Sequence, residues 1–402
     1  MADRKHALTF LLITVSLDMI GFGIIIPVMP QLIMHLAGGS VGTAAVYGGA
    51  LGALYALMQL LCAPVMGNLS DRFGRRPVLL ASLAAFAVDY ACMTLAPSIG
   101  WLFIGRAVAG VCGASYVTAG AYIADVTPPQ LRAKRFGLLG AAFGVGFVFG
   151  PALGGILGQV NVRLPFLAAA LLALANLGYG YLVLPESLPL ERRRPFSLRR
   201  ANPIGALASL RRYPLVLGLM LAIFLFRIAH DANPSTWAYF TTEKFKWSTG
   251  EIGYSLAVVG VASALVQGAL VGPLVARLGE RWAIYLGFTV YALAFLGFAF
   301  APTGLALCLC MLPMALGGIG GPALNGVLSH QVPADGQGEL QGGLASLTGL
   351  TAIFAPLAMT RLFDEFTQPA HYFPGAAFLA AAVLTFGCVG VCALVLRGAA
   401  GR

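Results

Sequence analysis

The sequence predicts an all-helical integral membrane protein with twelve transmembrane helices in two pseudo-symmetric six-helix halves. Three observations carry that prediction. Hydrophobic residues make up 59% of the 402 and charged residues 10%, whereas a soluble domain carries about 25% charged residues. Apolar runs long enough to cross a bilayer recur along the whole chain. One half of the sequence also repeats in the other at a fixed offset.

A spanning helix needs about 20 mostly apolar residues. Runs between polar or proline-bearing breaks predict spans at 7–30, 44–66, 77–96, 101–124, 136–158, 165–184, 214–238, 251–275, 282–301, 304–329, 340–360 and 373–396. The first run follows Arg4 and Lys5 but is longer than a signal-peptide core and contains Asp18. It reads as a retained first span. The connections are short, and the longest is the basic stretch 185–213. The expected organisation is an N-terminal bundle at 1–184, a basic cytoplasmic linker at 185–213 and a C-terminal bundle at 214–402. The seven cysteines all fall in apolar stretches and lack the spacing of a zinc site, so no metal is expected.

Basic residues orient the chain. With a cytoplasmic N-terminus, nineteen Lys and Arg residues fall inside and four (Arg163, Lys244, Lys246 and Arg361) outside. Seven of the nineteen are arginines of the central loop. Such asymmetry is the positive-inside pattern, and it places both termini in the cytoplasm. It also accounts for the net charge of +10 without nucleic acid, because the basic face meets anionic lipid headgroups. Arg106 and Arg227 remain within predicted spans.

An offset of 205 residues aligns the halves. Gly67, Leu69, Arg72, Gly74 and Arg76 match Gly272, Leu274, Arg277, Gly279 and Arg281. Pro97, Pro128, Gly137 and Pro151 match Pro302, Pro333, Gly342 and Pro356. Six spans per half is an even number, so the repeats are parallel. In such transporters the substrate site is expected at the repeat interface near the bilayer midplane.

The loop after the second span reads GNLSDRFGRRP, Gly67 to Pro77. It resembles the signature loop of the major facilitator superfamily. Gly67 and Gly74 permit a tight turn. Asp71 can face a positive helix end, and Arg72, Arg75 and Arg76 are expected at the cytoplasmic surface. In the second half, Ala276 stands in place of the Asp and Glu280 in place of the first paired Arg.

The chain is similar, more closely, to the twelve-helix tetracycline/proton antiporters. The similarity runs through Leu54–Leu83, Gly105–Ser115, Ala119–Gly155 and Leu328–Thr351, with the opening Leu17–Pro30. Gly144, Gly146, Gly150, Pro151, Gly154 and Gly155 look like the fifth-helix motif associated with export. The resemblance implies the major facilitator fold, proton-coupled efflux and antibiotic resistance. Three positions depart from it. Tyr291 stands where the family's ninth helix carries an Asp, Ser263 aligns with a common His, and Arg227 aligns with a Gln.

Charges at membrane depth are costly and default to functional candidates. Asp18 is expected to carry the proton, with Arg106 as its tuner and Asp89 as a further coupling acid. Arg227, His230 and Asp231 share one face of the seventh span by their i, i+3, i+4 spacing, and are candidates for the cavity wall. A locally neutralised Arg227–Asp231 pair is the alternative. Tyr55, Gln59, Gln267 and Asn325 are further polar cavity candidates. Asp125, at the cytoplasmic end of the fourth span, is expected to serve gating with the loop residues.

The sequence shows no catalytic constellation and no ATPase signature, and Gly317–Pro322 lies inside an apolar span without a following Lys-Ser/Thr. The expected protein is therefore not an enzyme. It needs no cofactor, is driven by a proton gradient, and has a small molecule, protons and membrane lipid as partners, with no obligate protein partner. Two readings stand: an exporter of amphiphilic compounds or drugs, and a proton-coupled transporter of a normal metabolite. The expected location is a bacterial inner membrane.

Overall fold

The computed structural model describes residues 2–113, 115–128, 131–196, 214–333 and 336–400. Arg199, Arg200, Arg211 and Arg212 of the basic linker, and Arg402, lie outside the described residues. All regular structure among the described residues is helical.

The helices follow the expected spans. They are α1 (Ala2–Ile25), α2 (Met29–Ala37), α3 (Val41–Phe73), α4 (Arg75–Leu95), α5 (Ile99–Cys112), α6 (Ser115–Val126), α7 (Arg132–Val160) and α8 (Leu164–Val183). The second half contains α9 (Pro214–Phe245), α10 (Thr249–Leu265), α11 (Val271–Leu278), α12 (Glu280–Phe300), α13 (Gly304–Gly317), α14 (Gly320–His330), α15 (Gln337–Glu365) and α16 (Ala376–Ala400). Among the described residues, ten stretches are long and apolar enough to cross a membrane, and the bent pair α1 and α2 makes an eleventh. The remaining predicted span is divided between α5 and α6, and α5 is apolar but short.

Sequence chemistry explains the interruptions. Pro27 has no N–H to continue α1, so the chain bends by 51° before α2. The fourth span breaks at Gly113 and the tenth at Gly318, two glycines separated by the same 205 residues. The eighth span stays continuous through a π-helical turn, Val266–Leu270, between α10 and α11. Prolines 64, 151, 234, 313 and 356 lie within helices, which is tolerated where neighbouring groups re-satisfy the backbone.

Contacts group the chain into two units. The first comprises 1–39, 54–202 and 247–260, and the second 40–53, 203–246 and 261–402. In the first unit, Phe10, Leu11 and Val15 of α1 pack with Leu79, Tyr122 and Ile123. Lipid tails are as apolar as leucine, so close backbone approach replaces a hydrophobic driving force between helices. Helix α7 lies so near α1 that a Cβ on Gly154 would sit 2.0 Å from the Ile24 carbonyl oxygen. The start of α10 joins the same unit, where Thr249 Oγ1 donates to the Gly155 carbonyl at 3.2 Å.

The core of the second unit joins Val216, Leu219 and Ile223 of α9 to Ile284, Phe288, Leu324, Leu328, Cys388 and Cys392. The start of α3 packs here, and a Cβ on Gly49 would meet Thr360 Oγ1 at 2.2 Å. Large apolar side chains such as Leu182, Val160 and Leu394 are exposed on the outer surfaces, as the wall of a membrane protein requires.

Candidate functional site

The connection Ala96–Ser98 makes α4 and α5 neighbours. Asp89 lies six residues before the end of α4 and Arg106 seven after the start of α5. Both therefore stand about 10 Å from the turn at 1.5 Å per residue. Both are buried, and Arg106 Nη2 donates to Asp89 Oδ2. Gly105 makes room for the carboxylate, since a Cβ there would lie 2.5 Å from Asp89 Oδ1. The guanidinium also lies over the Tyr55 ring, 5.7 Å from its centroid. Asp89 Oδ1 and Arg106 Nε are buried without a hydrogen-bond partner, so one of the two possible bonds of a bidentate pair is left unmade.

Arg106, expected to tune Asp18, is bonded to Asp89 instead. The arginine is taken by the acid at its own depth on the adjoining helix. Asp18 instead accepts from Asn176 Nδ2 at 3.1 Å, and the same amide nitrogen donates to the Thr14 carbonyl at 3.2 Å. Thr14 Oγ1 donates back to Asn176 Oδ1 at 3.1 Å. The coupling candidates are thus two clusters, an ion pair and an amide-held acid.

The signature loop forms a second site in the same unit. Gly74 adopts a positive φ of 105° and Gly279, its repeat counterpart, 76°. This left-handed backbone favours glycine. Arg75 is buried, which corrects its expected place at the surface. Its Nη1 donates to Asp71 Oδ1 at 2.6 Å, and its Nε to Asp125 Oδ2 at 3.2 Å. One fixed charge therefore joins the ends of α3, α4 and α6. Arg72 lies over Phe73, while Arg76 Nη2 donates to the Tyr181 carbonyl at 2.7 Å. Gly67 sits on α3, where an added Cβ would meet open space.

In the second unit, His230 is exposed although it lies in the interior of α9. Its ring stands 5.9 Å from Phe226 and 6.2 Å from Tyr291. Asp231 Oδ2 is buried without a hydrogen-bond partner. Among the described residues no ion pair joins Arg227 to Asp231, so the locally neutralised alternative is not formed. Asn325 is exposed on α14.

Gln59 and Gln267 perform a task the sequence did not suggest. Gln59 Nε2 donates to the Gly113 carbonyl at 3.1 Å, and Gln267 Nε2 to the Gly318 carbonyl at 3.3 Å. Each amide serves the broken helix of its own half by satisfying a backbone acceptor at the break.

The comparisons with known proteins agree with this architecture. The Major Facilitator Superfamily profile matches residues 11–240 and 219–400. The class C tetracycline resistance protein of Escherichia coli is 44% identical, with 96% of each chain covered. The class G protein of Vibrio anguillarum is 40% identical over the same shares. The chain belongs to the Major Facilitator Superfamily, in the family of the tetracycline resistance proteins. Among solved structures, the human organic anion transporter MFSD10 (TETRAN) superposes with a TM-score of 0.70 at 25% identity, covering 97% of this chain and 99% of that one. The nucleoside transporter NupG (D323A mutant) reaches 0.81 at 12% identity, over 97% and 99% of the two chains, and shows the shared fold. This Major Facilitator chain is a multi-pass membrane protein and not an enzyme.

Sequence reasoning missed two residues of the Major Facilitator chain. Asn176 is a lone amide in an otherwise apolar span, and that signal could have found it. Glu186 follows the sixth span and accepts backbone N–H groups from Arg75 at 2.9 Å, Arg76 at 3.2 Å, and Ser187 and Leu188 at 2.9 Å. Gly74 has no side chain to cap α4, so Glu186 supplies the cap from outside. A missing cap costs about 0.5–2 kcal/mol, and a negative charge at a helix N-terminus adds about 0.3–1 kcal/mol. Glu186→Ala should therefore lower stability by about 1–2 kcal/mol, and Glu186→Gln by less. Equal denaturation midpoints for all three chains would remove the cap.

Proposed function

We propose that this chain is a proton-coupled exporter of tetracycline-type amphiphilic compounds. The near full-length likeness to tetracycline resistance proteins carries the reading, at 44% identity over 96% of both chains. The membrane-embedded acids support it, because no other energy source is legible in the sequence. Alternating access of a parallel-repeat transporter would present the site to each side in turn. Asp18 would exchange the proton. Arg106 would fix the charge state of Asp89 beside it, and Tyr55, Arg227, His230, Asp231 and Asn325 would contact substrate. In this reading 1–184 and 214–402 act as the two bundles, with the basic linker between them.

The test is substrate-induced proton release in everted membrane vesicles. Tetracycline should discharge a preformed proton gradient in vesicles carrying the chain and leave control vesicles unchanged. Equal responses in both would refute the proposal. Tyr291, Ser263 and Arg227, which depart from the family pattern, favour one second reading: proton-coupled transport of a metabolite. Such a solute would discharge the gradient where tetracycline does not.

The basic asymmetry supports a cytoplasmic location for both termini and the signature loop, and the likeness to bacterial tetracycline resistance proteins supports an inner membrane. Cysteines placed at Arg4 and Arg397 should resist impermeant thiol reagents in intact cells and react in everted vesicles. Labelling in intact cells would reverse the topology. At the loop, Asp71→Asn leaves Arg75 bonded to Asp125 but removes one of its two carboxylates. Turnover should fall while the amount of folded protein in the membrane is kept; normal turnover would deny the loop a gating part.

A further inference from the structure

The signature-loop ion pair has a counterpart with its charges exchanged. Adding 205 to Arg75 and Asp125 gives Glu280 and His330. The two are neighbours in space as well as in register: His330 Nδ1 lies 3.5 Å from Glu280 Oε2. Glu280 opens α12 directly after the left-handed Gly279, as Arg75 opens α4 after the left-handed Gly74. His330 closes α14 as Asp125 lies in the last turn of α6. Gly326 lets the acid approach, since a Cβ there would lie 2.6 Å from Glu280 Oε1. The second copy of the motif therefore keeps a contact between an acidic and a basic side chain while exchanging their positions.

We infer that Glu280 and His330 form a second gating latch, one that closes when the imidazole takes a proton from the face carrying the basic loops. The inference rests on the proposed proton antiport for its physiological meaning, and on the repeat and the contact for its existence. Arginine and aspartate as classes hold opposite charges throughout the physiological range, so their pairing offers no switch there. Histidine as a class changes charge between about pH 5 and 8. A latch built on histidine is joined by a charge-assisted contact at the acid end of that range and loses it at the alkaline end. Exposure agrees with the difference: the Arg75 and Asp125 side chains are 10% and 27% exposed, those of His330 and Glu280 72% and 35%. The His330 imidazole is therefore open to solvent.

Among the described residues, the other charged side chains on adjoining elements at this end are Arg277 on α11, Arg281 on α12, Glu339 on α15 and Arg397 on α16. Arg281 Nε donates to Tyr285 Oη at 3.1 Å, and no ion pair between these residues and Glu280 or His330 is formed among the described residues. Each antiport cycle delivers a proton to the face where His330 lies. Acid accumulated by turnover would then close the latch and slow the next cycle.

Two measurements on the full chain test this inference. Spin labels at Ala276→Cys and Gln331→Cys, without substrate and with singly substituted chains as background, should report a more compact distribution at pH 6 than at pH 8. His330→Gln and Glu280→Gln should each abolish that change. Glu280→Arg with His330→Asp, which rebuilds the first-half pair, should hold the compact distribution at both pH values. In the second measurement, tetracycline counterflow at equal pH on both sides should differ between parent and His330→Gln by about two- to five-fold at pH 6, the span of an exposed pair's coupling, and converge at pH 8. An unchanged distribution in the parent, or a pH response surviving in His330→Gln, overturns the latch. Absence of tetracycline counterflow in every chain, with the spin-label response intact, refutes the substrate reading and leaves the latch standing.

Discussion

Asp89→Asn is expected to be the most damaging single substitution in this transporter. Asp89 is fully buried and is the ion-pair partner of Arg106. The asparagine keeps the shape and a hydrogen-bond acceptor but removes the compensating charge. Breaking one side of a buried pair costs about 3–5 kcal/mol, because the remaining ion keeps its desolvation penalty. An arginine cannot relieve this by losing its proton. The folded fraction in detergent, followed by thermal unfolding or by size-exclusion recovery, should fall sharply. Asp89→Asn with Arg106→Gln should recover much of the stability, since the neutral pair no longer holds an isolated charge, and should still fail to transport. If the single variant is as stable as the parent, the pair is not held together in the way the geometry indicates. If the double variant transports normally, the pair is a structural bridge.

Asp18→Asn is expected to separate coupling from binding. The partner of Asp18 is the Asn176 amide, which donates at 3.1 Å. An asparagine carbonyl accepts the same bond, so the local network with Thr14 should persist and the protein should fold. The ionisable oxygen is lost. Proton-driven accumulation of tetracycline in everted vesicles should drop to the level of vesicles without the chain, while downhill exchange continues. Asp231→Asn should instead shift the substrate concentration for half-maximal transport, with proton release per substrate unchanged. The opposite pattern, with coupling kept in Asp18→Asn and lost in Asp231→Asn, would move the carrier to the seventh span.

Fold class was legible because the bilayer imposes a length on every span and a charge asymmetry on the loops, and both survive in a single sequence. Among the described residues, eleven of the predicted spans have helices long and apolar enough to cross a membrane, and the fourth is divided between α5 and α6. The site was less legible because partner choice depends on depth and rotation about the helix axis, which composition does not carry. Asp18 and Arg106 appeared to be partners, since both are conspicuous charges in the first half. Counting residues from the α4–α5 turn would have given Arg106 to Asp89. Gln59 and Gln267 looked like cavity polar groups because the helix breaks they serve are marked by single glycines among many, 51 in all. Glu186 escaped notice because its role lies in four backbone N–H groups that leave no trace in side-chain identity.

The paired helix breaks bear on how the two halves diverged. Gly113 and Gly318 match at 205 residues, but the glutamines that serve them do not, for Gln59 and Gln267 are 208 apart. The eighth span, which carries Gln267, contains the π-helical turn, whereas the second span is α-helical throughout. After duplication, one copy thus reached the same solution from a different letter of the text. What the two halves share is a glutamine partner for the carbonyl at the break, supplied from positions that do not correspond. A repeat can accordingly drift in sequence while its points of fracture stay fixed, and aligning fracture points offers a way to recognise common ancestry where residue identity has worn away.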